Sequence, residues 1–287
     1  MTMIAVVGAT GTIGSRLVGA LANAGAPVRA IARHPGEPRD EVETVSADLT
    51  DLDAALAALD GATAVYLTPP LAGQDPTGLE RTVCHNVIDA ATKHGVDHVV
   101  MHSAVHADRG DTGARILDNK TPIEEALATS GVGYTILRPA WFLQNLWLAR
   151  DYLEQGVASM PWDAEMVWAA TDINDIVDAA VGFLDQGPAN RGFDIHVPGG
   201  ITGRTIAQAA TKVLGRQVTY QPAEVPTRDF VESFPISDVH KQLYAELFDY
   251  FRSTTYLGDP QPINDALAGF QPRGVEHFLR HELFASA

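Results

Sequence analysis

The sequence predicts an α/β protein, a doubly wound parallel sheet with a smaller C-terminal part that interleaves with it. Apolar runs of strand length alternate with helical periodicity from residue 4 to about residue 137. That alternation demands right-handed crossovers and a parallel sheet covered on both faces. The first strand, Ile4-Ala5-Val6-Val7, opens into three glycines at three-residue spacing, and helical periodicity follows from Ser15. Past Pro139 the texture changes, and the 4 tryptophans gather between Trp141 and Trp168.

Each glycine of Gly8-Ala9-Thr10-Gly11-Thr12-Ile13-Gly14 answers a different steric demand. At Gly8 a side chain obstructs the turn out of the strand. At Gly11 it holds the backbone off a pyrophosphate, and at Gly14 it pushes the helix from the sheet. The N–H groups of the helix start then face the phosphates, where the helix dipole favours negative charge. A strand before the loop and a helix after it separate a dinucleotide fingerprint from a plain glycine turn. The expectation is a Rossmann sheet that binds a dinucleotide through Gly8, Thr10, Gly11, Thr12, Ile13 and Gly14.

Helical periodicity covers residues 12–24 and stops at Gly25, and residues 27–32 read as the second strand. Arg33-His34 then stands where an acid would accept the adenosine ribose hydroxyls and repel a 2′-phosphate. A cation at that point favours NADP(H) over NAD(H), because a charge-assisted bond to phosphate contributes about 1.5–3 kcal/mol. Arg29 and Arg39 are near enough in sequence to assist. Residues 43–47 form a third strand ending in Asp48-Leu49, and residues 50–59 a helix. A fourth strand, 62–67, runs into Thr68-Pro69-Pro70, a loop stiffened by its prolines where a cofactor passes over the strand ends. A helix over 78–94 ends at Gly95, and a fifth strand over 96–101 closes on His102-Ser103. One helix is expected over 114–130, then a strand over 133–137 before Arg138-Pro139.

Beyond that boundary, residues 156–161 and 166–170 suggest a small hairpin or edge strands. Helices are expected over 172–184, 205–214, 239–252 and 274–283, and residues 192–197 add one more strand to the main sheet. The division is a nucleotide-binding part over residues 1–155, completed by that strand, and an interleaved capping region over 156–287.

A formal charge of −16 argues against a nucleic-acid partner, which requires clustered lysine and arginine. The single cysteine, Cys84, can form no internal disulfide, which suits a reducing compartment. No apolar run is long enough to cross a membrane, and a strand beginning at residue 4 leaves no room for a signal peptide. These features suggest a cytoplasmic monomer or homodimer acting on a small molecule. The sequence holds no Cys/His cluster with metal spacing, no carboxylate pair set for hydrolysis and no nucleophile elbow.

The glycine loop, Asp48-Leu49-Thr50-Asp51, Lys120 and Tyr134-Thr135-Ile136-Leu137-Arg138-Pro139 with Asn145 together resemble the NmrA-like branch of the atypical short-chain dehydrogenase/reductases. The likeness is specific from residue 4 to residue 145 and diffuse beyond about residue 200. It implies a Rossmann domain, a small C-terminal substrate domain and a cleft between them. Members include NADPH-dependent reductases of quinones, aromatic ethers and ketones, and also silent redox-sensing regulators. By the same resemblance Asp48, with Leu49 beside it, contacts adenine, and the Thr68-Pro69 loop contacts the cofactor backbone. The wider superfamily works with a serine, then a tyrosine four residues before a lysine. Ser103 and Lys120 fit, but the tyrosine position is Ile116, which has no proton to give.

Of the residues left, Ser103 reads either as a hydrogen-bond donor to a developing oxyanion or as a turn cap. Lys120 reads as a holder of the nicotinamide ribose or as a solvated helix lysine. His102 fits a satisfied core histidine, and His106, in the following loop, is placed to reach a substrate. Trp141, Phe142 and Asn145 follow a strand's carboxyl end, where open α/β sheets place ligands, and an apolar pocket there suits an aromatic ketone or quinone. Asp172 and Asp175 read as helix caps. The leading expectation is an NADPH-dependent reductase of a ketone on a hydrophobic aromatic molecule. Quinone or enone reduction, a cofactor-sensing regulator without turnover, and an isomerase or lyase are the alternatives.

Overall fold

The computed structural model describes residues 3–36 and 42–285, so Arg39 lies outside the described residues. Seven strands form one parallel sheet: β1 (Ile4–Val7), β2 (Val28–Ala32), β3 (Val42–Ser46), β4 (Ala64–Leu67), β5 (His98–His102), β6 (Gly133–Pro139) and β7 (Arg191–Ile195). Their spatial order is β7-β6-β5-β4-β1-β2-β3. The winding reverses at β1, whose neighbours are β2 and β4, and the strand ends part there to leave a crevice.

Alternation along the strands explains both faces. Ile4, Val6, Tyr66, Val100 and Leu137 pack under α1 (Thr12–Asn23) and α5 (Ile173–Gln186). Ala5, Val7, Val65, Leu67, Val99 and Met101 face α2 (Leu52–Leu59), α3 (Pro76–His94) and α4 (Thr121–Thr129). With both faces covered, the central strands β1 and β4 are apolar and buried throughout. A third core, centred on Trp162, Trp168, Phe248, Phe251 and Phe278, joins α6 (Gly203–Leu214) and α7 (Asp238–Ser253) to the segment after β6. Arg16 on α1 pairs with Glu282 at 3.0 Å and bonds Asn174 on α5, tying the C-terminal helical turn to the first helix.

The single helix expected over 114–130 is two pieces, Arg115–Asp118 and α4, broken at Asn119-Lys120. Pro122 causes the break, because its ring would collide with the Asp118 carbonyl and it has no N–H to bond it. Of the hairpin or edge strands expected over 156–161 and 166–170, short separate strands form and do not pair with each other. Val157–Ala158 pairs in parallel with Thr219–Tyr220, and Ala170–Thr171 pairs in parallel with Trp141–Phe142.

His98, at the start of β5, is buried, with Nε2 on the Thr135 hydroxyl at 2.9 Å and no partner for Nδ1. Burial pushes its pKa down to about 4. The unfolded chain therefore binds a proton near pH 6.5 that the folded chain refuses until about pH 4, and stability is lost as pH falls between the two. His98→Gln should narrow the difference in unfolding free energy between pH 7 and pH 4.5 by about 2–3 kcal/mol, read from urea midpoints. An unchanged difference would show that His98 is not the group responsible.

Candidate active site

Gly8 leaves β1 with φ +76°, a conformation that disfavours any side chain, and its N–H bonds the Ile31 carbonyl. A Cβ on Gly14 would lie 2.2 Å from the Gly8 carbonyl oxygen, so helix and loop touch backbone to backbone. Gly11 begins α1 without a side-chain cap. The N–H groups of Thr12, Ile13 and Gly14 thus have no acceptor within the helix, and all three residues line the crevice.

The crevice, of about 590 Å³, is lined by Gly8, Thr10, Gly11, Thr12, Ile13, Gly14, Arg33, Asp48, Leu49, Thr68 and Pro69 among others. The Asp48 carboxylate accepts the Thr50 hydroxyl at 2.8 Å and the Thr50 N–H at 3.1 Å. Those bonds, helped by the Arg33 charge, hold its pKa below the ordinary carboxylate range. Arg33 is exposed at the rim, and the Ser46 hydroxyl donates to its carbonyl, which fixes the backbone there. His34 is exposed and does not line the crevice, contrary to expectation. Arg29 is also absent from it: its guanidinium bonds the carbonyls of Ala58 and Asp60 and pairs with Glu43 at 3.0 Å. A donor-rich, glycine-lined cradle beside an exposed arginine fits a phosphorylated dinucleotide.

A second cleft, of about 870 Å³, is continuous with the first through Ile13, Thr68, Pro69, Leu71, Phe142 and Asn145, which line both. Ser103, Lys120 and Trp141 stand in its wall, and so does Ile116. The residue expected at the superfamily's tyrosine position, Ile116, thus presents an alkyl group to the cleft. Lys120 is no solvated helix lysine. It is buried and pairs through Nζ with Glu80 Oε1 at 2.5 Å, while Asn119 donates to Glu80 Oε2 at 2.7 Å. The Ser103 hydroxyl donates to Glu124, a buried carboxylate also held by Arg138. Its proton is thereby committed, which corrects the expectation of a free donor. Its backbone N–H is taken by the Leu137 carbonyl.

His102 is not a satisfied core histidine. It lines the cleft at the carboxyl end of β5, and its Nδ1 is buried with no partner. Burial, reinforced by the Lys120 charge, pushes its pKa down to about 3. His106, expected to reach a substrate, lies behind the wall, outside the cleft lining. Its Nδ1 meets the Tyr250 hydroxyl at 3.0 Å and its Nε2 the Leu257 carbonyl at 2.9 Å. Trp162 and Trp168 belong to the core, while Trp147 is exposed at the mouth of the first crevice. Asp172 caps α5 as expected, through the Asn174 N–H at 2.8 Å. Asp175 is instead a buried partner of Arg273 at 2.5 Å, its pKa pushed up to about 7 by burial.

The rest of the second cleft comes from residues that the motifs did not single out. Ile236, Tyr244, Leu247, Phe251 and Tyr256 close it from the C-terminal side. The apolar stripe of α7 predicts a buried face, but nothing local says which cavity that face covers.

Residues 8–155 match the family model described as NAD(P)H-binding. The chain is 32% identical over 228 residues to the NAD(P)H azoreductase of Xenophilus azovorans, covering 76% of each chain. It is 30% identical over 226 residues to quinone oxidoreductase 2 of Escherichia coli, covering 76% of this chain and 77% of that one. The structure of the NADPH-dependent quinone oxidoreductase of Escherichia coli in complex with NADPH superposes with a TM-score of 0.82. That match is 26% identical and covers 97% of this chain and 99% of the other. Fold and cradle together define an NAD(P)H-dependent oxidoreductase. The chain belongs to the NAD(P)H-binding family, and the expectation of NADP(H) stands.

Proposed function

We propose that the protein is an NADPH-dependent reductase of apolar, conjugated acceptors of the quinone or azo type. The observation that carries this is the wall of the second cleft, where Ile116 replaces a phenol and the Ser103 proton is held by Glu124. A simple ketone becomes a strongly basic alkoxide on reduction and needs a proton delivered in step. A conjugated acceptor spreads the incoming charge, so hydrogen bonding and placement suffice. That ranks quinone-type acceptors above the aromatic ketone, which is kept as the second reading because the same apolar walls suit it. The names of the azoreductase and quinone oxidoreductase relatives support the order.

In this proposal the cofactor supplies the hydride, and the protein supplies the placement. The N–H groups of Thr12, Ile13 and Gly14 hold the pyrophosphate and Arg33 holds the 2′-phosphate. Asp48 and Leu49 border the adenine, and Lys120, itself held by Glu80, secures the nicotinamide ribose. Trp141, Phe142 and Asn145 border the acceptor.

Steady-state NADPH oxidation with 1,4-naphthoquinone, methyl red and acetophenone tests the assignment. Naphthoquinone or methyl red should be turned over at least 100-fold faster than acetophenone, and an equal or better rate with the ketone would reverse the ranking. No turnover with any of the three despite tight NADPH binding would favour a regulator. In the same protein, Arg33→Ala should weaken NADPH at least tenfold by calorimetry and leave NADH nearly unchanged, since only the 2′-phosphate differs. Equal weakening of both would make Arg33 structural.

A further inference from the structure

We propose that His102 is a catalytic residue that acts as a neutral N–H donor, through Nε2, to the atom of the acceptor on which charge develops. The inference rests on the reductase reading above and gives that site the donor it lacks at position 116. Three observations carry it. His102 lies at the carboxyl end of β5 and lines the second cleft beside Phe142, the two ring centroids 6.0 Å apart in an edge-on arrangement. The side chain is nine-tenths buried, yet neither ring nitrogen has a hydrogen-bond partner among the described residues. Only Nδ1 is sealed from solvent, so the small remaining exposure leaves Nε2 open to the cleft.

The tautomer follows from that arrangement. A proton on Nδ1 would be a buried donor with nothing to accept it, which costs about 1–3 kcal/mol. A proton on Nε2 points into the cleft, where water or a substrate accepts it. Burial keeps the ring from charging through the neutral range, and Lys120 opposes charging as well. The other titratable groups facing this cleft are Glu80, His240, Tyr244 and Tyr256. When hydride adds to the acceptor, an electron pair moves onto its oxygen or nitrogen. His102 donates a hydrogen bond to that atom and keeps its own proton, and water supplies the proton of the product. A donor aimed at developing charge in a water-poor site is worth roughly 10²–10³ in rate.

The test combines kinetics with a readout that needs no turnover. His102→Phe should lower kcat for 1,4-naphthoquinone roughly 10²–10³-fold with the Kd for NADPH unchanged. His102→Gln, which restores an N–H, should recover at least tenfold of that loss. The wild-type rate should be flat from about pH 6 to 8, because His102 does not titrate there. Nitrogen-15 NMR of the histidine-labelled wild type should show the proton on Nε2. That signal should shift when naphthoquinone is added to the NADP⁺ complex, which cannot react. A folded His102→Phe variant with wild-type kcat would overturn the proposal. So would a proton on Nδ1, or an Nε2 signal unmoved by naphthoquinone that calorimetry shows to be bound. A one-proton limb near neutrality that vanishes in His102→Gln would also overturn it, making His102 an acid. If the wild type neither binds nor reduces quinones, the reductase reading fails by itself, and the tautomer still decides the role of His102.

Discussion

Lys120→Met should destabilise the protein by about 3–5 kcal/mol in urea unfolding, apart from any effect on turnover. The reason is Glu80, which is 1% exposed and relies on the Lys120 ammonium at 2.5 Å for its charge balance. Without the ammonium, the carboxylate keeps only the Asn119 amide, whose oxygen is already bonded to the Arg81 guanidinium. A buried charge left unpaired costs more than the pair contributes, so the double variant Lys120→Met with Glu80→Gln should recover most of the lost stability. That double variant should still bind NADPH weakly, because the group proposed to hold the ribose is gone. A single variant as stable as wild type would show that the pair does not compensate Glu80. A double variant with wild-type NADPH affinity would remove Lys120 from the cofactor site.

Gly11→Val should abolish NADPH binding, with at least a 100-fold loss of affinity, while the protein stays folded. The backbone at Gly11 has φ −74° and ψ 168°, which valine adopts readily, and a Cβ there meets only the Gly8 carbonyl oxygen at 3.3 Å. The substitution therefore fills the crevice rather than the core, where the pyrophosphate must approach the backbone. Gly14→Ala makes the contrast: its methyl would lie 2.2 Å from backbone oxygen, and the loop itself must shift. Retained NADPH affinity in Gly11→Val would mean that the glycine loop is only a turn.

What could be read from the sequence was whatever depends on neighbours close along the chain. The loop from Gly8 to Gly14 is legible because strand, glycines and helix start are contiguous, and the main strands follow from alternation under two covered faces. Lys120 and Ser103 line the second cleft, but their chemistry is set by Glu80 and Glu124, 40 and 21 residues away. A glutamate on an amphipathic helix looks the same in sequence whether it meets water or a buried ammonium. The partners that hold His106 are equally invisible locally, since Tyr250 and Leu257 lie more than 140 residues downstream. The break at Pro122 was legible in principle. An apolar pattern running through the proline concealed it.

The contact between Arg16 and Glu282 spans 266 residues. During synthesis the first helix waits for that partner until nearly the whole chain described here has emerged. The edge strand β7 likewise reaches the sheet only after Ile195 has been made. A nucleotide fold whose first strand and loop are specified within a dozen residues is thus finished last at its beginning. On newly made α1, Arg16 can meet Asn174 once α5 has packed, but its carboxylate partner arrives only when the C-terminal turn docks.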